Sequence, residues 1–128
     1  MWRNMLRVAA TLAVLHGVLT FVVAFTVFPG KRVDVMAFAQ HGFTFVFIAC
    51  LNVATWQAPR RPRTLGYVVH ACNVAFLGFN LAFGVVNPEP PTIVAAVVLL
   101  LLTVAAVGVD TSLRQNEMRL ASMDVAPV

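Results

Sequence analysis

Residues 90–109 read PPTIVAAVVLLLLTVAAVGV, 20 residues without a charge and with two prolines in front. A helix bonds all its backbone groups internally, and about 20 apolar residues of helix cross the hydrocarbon core of a bilayer. The run therefore reads as a transmembrane helix, started by prolines in the first turn, where their missing N–H is tolerated. Residues 8–30, 35–59 and 64–88 are equally free of Lys, Arg, Asp and Glu. Four helices follow, at about 6–28, 35–57, 64–86 and 91–110, with a polar tail at 111–128.

The composition agrees. Some 60% of the residues are hydrophobic and only 11% charged, against about 25% charged in soluble domains. A soluble core is excluded, and in a chain of 128 residues the loops are too short for a second domain. Pro29-Gly30, Ala58-Pro59-Arg60-Arg61-Pro62-Arg63 and Asn87-Pro88-Glu89-Pro90-Pro91 mark three short turns. Helices joined by short turns lie antiparallel, which predicts an all-α, up-down four-helix transmembrane bundle forming one domain.

The formal net charge of +4 reflects topology and not a nucleic-acid partner. Arg3, Arg7, Arg60, Arg61, Arg63, Arg114 and Arg119 fall at one end of the bundle, and only Lys31 and Arg32 at the other. The positive-inside rule then places both termini in the cytoplasm, as in a bacterial inner membrane. Trp2, Trp56 and Tyr67 fall at the same end, at the depth preferred by amphipathic rings. The first apolar run is longer than a signal-peptide core and ends in Val27-Phe28-Pro29-Gly30 without a small-residue cleavage site, so it reads as a retained helix. Cys50 and Cys72 show no metal-binding spacing and read as small packing residues facing away from the polar side chains.

Those polar side chains carry the functional signal. The first three spans each hold one histidine, His16, His41 and His70, and the fourth holds none. At about 100° per residue, His41, Thr44, Ile48, Asn52 and Thr55 share one face of helix 2, and His70, Asn73, Leu77, Asn80 and Asn87 share one face of helix 3. Polar groups avoid lipid, so the two faces are expected to meet. Centring both antiparallel spans sets His41 opposite Asn80 and Asn52 opposite His70, with His16 level with Asn73. A ladder of three His-Asn rungs results. The segments beginning His16-Gly17 and His41-Gly42 echo each other faintly, which in a low-complexity apolar alphabet reads as chance.

Ionisable groups at membrane depth are costly and mark ligand, ion or proton sites. The candidate binding residues are His41, Asn80, His16, Asn73, His70 and Asn52, with His16, His41 or His70 the metal ligand if a haem or a chlorophyll-type pigment is held. The phenylalanines gather in the outer half of helices 1–3 and suggest a pocket there for a flat apolar ligand such as a haem b, a (bacterio)chlorophyll or a quinone, anchored on His41 beside Asn80. A non-enzymatic accessory subunit or binding protein is the leading expectation. A small homo-oligomeric transporter of a hydrophobic or cationic solute is the alternative. The chain resembles the small multidrug resistance exporters in size and helix count, but it lacks their membrane-embedded glutamate and has no acidic residue in any uncharged stretch. A membrane enzyme using His and Asn is a third reading, without any nucleophile, carboxylate or phosphate-loop motif behind it. Residues 90–109 offer only Thr92 and Thr103 as polar side chains, so helix 4 is expected to face lipid, a second copy or a partner membrane subunit.

Overall fold

The computed structural model describes residues 1–27, 32–58, 62–86 and 88–123. Four helices account for nearly all of them: α1 (Trp2–Val27), α2 (Arg32–Gln57), α3 (Arg63–Val86) and α4 (Pro90–Met123), with no strand among the described residues. All four are long and apolar enough to cross a membrane, and the fold is the expected all-α four-helix bundle. The turn residues Phe28, Pro29, Gly30, Lys31, Pro59, Arg60, Arg61 and Asn87, and residues 124–128, lie outside the described residues, so the place of Asn87 in the polar face does too.

α1 packs most extensively on α2 and next on α4, and α4 packs on α3, whereas α2 meets α3 through few residues. The tight α1/α2 pair rests on two glycines. A Cβ on Gly17 would run into the carbonyl oxygen of Gly42, and a Cβ on Gly42 would run into that of Gly17. The contacts are reciprocal: Gly17 also faces Phe45 and Val46, and Gly42 faces Phe21. A local two-fold axis between antiparallel helices produces this pattern. The His-Gly steps that echo each other in α1 and α2 are the ones that meet at this crossing.

α4 departs from expectation. Its most apolar stretch is 56% buried within the bundle, against 28% for α1, the next highest. Ala95, Ala105, Ala106 and Gly108 are buried against neighbouring helices, and the Trp2 indole lies so close on Gly108 that no side chain would fit there. Small residues permit close helix approach, and here the chain uses most of that surface itself. Ile93, Val97, Leu100, Leu101, Val104 and Val107 remain exposed on the opposite side. α4 also continues as helix through much of the expected tail, to Met123. At 34 residues it is about 51 Å long, well beyond a hydrocarbon core of about 30 Å.

Candidate functional site

Polar side chains gather at two levels of the bundle. The first level is the α1/α2 crossing. Each histidine there directly precedes a crossing glycine, so the reciprocal contact of Gly17 with Gly42 brings both imidazoles to one side of the pair. Their ring centroids stand 6.3 Å apart, edge to face. The ring of Phe45 touches both, at 4.7 Å from His16 and 5.0 Å from His41. Around α2, His41 and Asn52 differ by about 20°, so His41 belongs to the stripe that turns toward α3. Both histidines are only half-buried, and among the described residues neither has a hydrogen-bond partner. Nearby hydroxyls are committed elsewhere: Thr20 donates to the His16 carbonyl at 2.8 Å and Thr44 to the Gln40 carbonyl at 2.9 Å.

The second level lies toward the basic end, which carries Arg3, Arg7, Arg63, Arg114 and Arg119. Asn52 and Asn73, both fully buried, exchange amide hydrogen bonds across α2 and α3. The Asn52 Nδ2 donates to the Asn73 Oδ1 at 2.8 Å, and the Asn73 Nδ2 donates back to the Asn52 Oδ1 at 2.9 Å. The Asn52 amide also donates to the Ile48 carbonyl at 2.8 Å, and its oxygen accepts from the Trp56 indole N–H at 3.3 Å. One turn nearer the end, His70 stacks at a tilt on Trp56, with centroids 5.0 Å apart. Its Nε2 stands 3.3 Å from the Asp110 carboxylate, which also pairs with Arg114 at 3.0 Å. The exposed Arg114 guanidinium lies 5.7 Å above the Tyr67 ring centre. Between the two levels Phe45 and Ile48 are buried and apolar.

The expected ladder is therefore rearranged. His41 pairs with His16 and not with Asn80, Asn52 pairs with Asn73, and His70 pairs with Asp110. Asn80 is buried but spends its amide on the Phe76 carbonyl at 2.9 Å. Facing positions on α2 and α3 sum to about 125, one helical turn from the register obtained by centring the spans. Two amide hydrogen bonds and the Trp56/His70 stack set this register, because other registers would leave buried amides unpaired in hydrocarbon. The phenylalanine pocket is corrected too: Phe21, Phe25, Phe38, Phe43, Phe47, Phe79 and Phe83 are exposed to the surroundings, and only Phe45 is buried among those described. Cys50 is exposed, Cys72 lies partly against the core, and both are free thiols.

Sequence reading passed over Asp110. It sits one residue beyond the uncharged run and reads as the start of a tail, yet α4 continues through it and leaves it 8% exposed. Its signal was the Asp110/Arg114 spacing of four residues, one helical turn, with Arg114 able to reach back.

Several chemistries can be sorted by this geometry. No group of three or more His, Cys, Asp or Glu side chains that could hold a metal ion forms among the described residues. A tetrapyrrole ligated on both faces by His16 and His41 does not fit. Its plane would have to stand between the rings, displacing buried Phe45 and parting α1 from α2 at the glycine crossing. Comparison of the chain with protein-family models, with curated proteins and with solved structures finds no match.

Proposed function

We propose that this small integral membrane protein is a non-enzymatic binding protein or accessory subunit. On this reading it holds an apolar molecule by one polar or metal-bearing handle at the His16/His41 pair. One observation carries the reading: two imidazoles in mid-span, 6.3 Å apart, have no hydrogen-bond partner among the described residues on either ring nitrogen, whereas the asparagine pair and the Nε2 of His70 at the other level are bonded within the chain. An unpaired polar group at membrane depth costs several kcal/mol, so the pair is best explained by a partner from outside the chain. Phe45, against both rings, supplies an aromatic wall for that partner. With nearby hydroxyls bonded to backbone carbonyls and no carboxylate in contact with the pair among the described residues, the arrangement suits binding better than acid-base or nucleophilic catalysis.

The basic end would face the cytoplasm of a bacterial cell, and the exposed stripe of α4 would meet lipid or a partner subunit. The binding reading is tested by purifying the protein in mild detergent, recording its absorbance spectrum and identifying copurified lipophiles by mass spectrometry. The expected result is one enriched species, lost from His16→Ala and His41→Ala and kept by His70→Ala. Recovery of no species beyond bulk lipid, or full retention by both pair variants, overturns it.

A further inference from the structure

Among the described residues, two buried side-chain atoms lack a hydrogen-bond partner, Nδ1 of His70 and Oγ1 of Thr55. By the α2/α3 register their residues fall at one level. The register set by Asn52 and Asn73 brings Thr55 opposite His70, since both pairs of residue numbers have the same sum, and Trp56, next to Thr55, stacks on the His70 ring. Thr55 follows Asn52 by three residues, about 60° around α2, and is 1% exposed. A threonine in a membrane helix can give its proton to the carbonyl one turn back, as Thr20, Thr44 and Thr103 do. Thr55 does not.

The hydrogen-bond direction at the His70 Nε2 follows from its neighbours. Asp110 is ion-paired with Arg114 at 3.0 Å, and an ionised carboxylate only accepts hydrogen bonds. The proton between Asp110 and His70 therefore resides on Nε2. In the neutral ring this leaves Nδ1 as a bare lone pair, buried and turned from the carboxylate. A carboxylate fixing one ring nitrogen so that the other presents its lone pair is how proteins orient histidine toward a ligand.

We propose that His70 Nδ1 and Thr55 Oγ1 form a buried binding site for one small protic ligand, a single water molecule. The water donates to Nδ1 and exchanges a second hydrogen bond with the threonine hydroxyl, and two polar partners are the minimum for an ordered buried water. Trp56 stacks on the His70 ring and the Asn52/Asn73 pair lies next along the seam, so the occupant proposed is the smallest protic one. The filled site extends the line Arg114, Asp110, His70 inward to α2. It places a proton-accepting nitrogen and its water inside the bundle, independently of what the His16/His41 pair holds.

The test is nitrogen NMR of 15N-histidine-labelled protein in lipid nanodiscs, with His70 assigned by elimination using His16→Phe and His41→Phe. The expected spectrum shows His70 as the neutral Nε2–H tautomer, with Nδ1 receiving magnetisation from water. Thr55→Val should remove that transfer and shift the Nδ1 resonance, and Thr55→Ser should keep both. A His70 ring protonated at Nδ1, or water transfer that Thr55→Val leaves unchanged, overturns the proposal. If Thr55→Val fails to fold, the wild-type tautomer and its water transfer decide alone.

Discussion

Asn52 and Asn73 hold each other by two amide hydrogen bonds, of 2.8 and 2.9 Å, at the level where α2 and α3 come together. Each amide satisfies the other, so the pair acts as a register pin between helices that otherwise touch little. Removing Asn52 orphans Asn73 in a buried site, at a cost of about 1–3 kcal/mol, whereas Asn52 keeps its bonds with Ile48 and Trp56 when Asn73 is removed.

Asn52→Leu should lower the unfolding free energy in detergent by an amount in that range, and Asn73→Leu by less. The double variant should lose less than the sum, because the second change removes an amide already orphaned. Additive losses in a double-mutant cycle would show that the two amides are not coupled.

Gly17 and Gly42 leave no space for a methyl group at the α1/α2 crossing. Gly17→Ala or Gly42→Ala should therefore destabilise the bundle by about 1–3 kcal/mol through overpacking. Gly78, with nothing near its would-be Cβ, should accept alanine without loss. Thermal unfolding of the three variants side by side checks the contrast.

Asp110 and Arg114 form an ion pair of unequal members. Asp110 is almost fully buried and Arg114 is exposed, so salt and water screen the arginine's share. Asp110→Ala should cost about 1–3 kcal/mol, since it strips His70 of its acceptor. Arg114→Ala should be barely detectable and should fade further in high salt, as urea titrations at two ionic strengths would reveal.

Orientation is testable at Ser122, which is exposed near the end of α4. With Cys50 and Cys72 replaced by alanine, Ser122→Cys should react with a membrane-impermeant maleimide only after the membrane is opened. Labelling of intact cells would reverse the topology.

Much of this bundle was legible in the chain. Uncharged runs of 20 residues and more, prolines at the turns and the clustering of arginines suffice for four helices and their order. The polar faces of α2 and α3 were legible as well, because helical phase follows from spacing alone. Register was not, since centring the spans assumes equal depth, whereas Asn52, Asn73, Trp56 and His70 fix it by their own contacts. Asp110 was hidden by the rule that charge ends a span, although a carboxylate with histidine and arginine beside it is tolerated at a span's end. The His16/His41 pairing was hidden by the opposed directions of α1 and α2, which are what a two-fold axis across the helices requires.

The seating of Trp2 on Gly108 bears on how the molecule is made. Residues more than a hundred positions apart meet there, so this part of the interior stays open to lipid until the last span has entered the membrane. The hairpin of α1 and α2 has its glycine crossing within the first half of the chain and can close while synthesis continues. α4, the most buried helix, has to displace lipid from the faces that α1 and α3 reserve for it. Assembly therefore runs from a preformed hairpin to a late central insertion, and a chain stopped before Gly108 should be a substrate for membrane proteases.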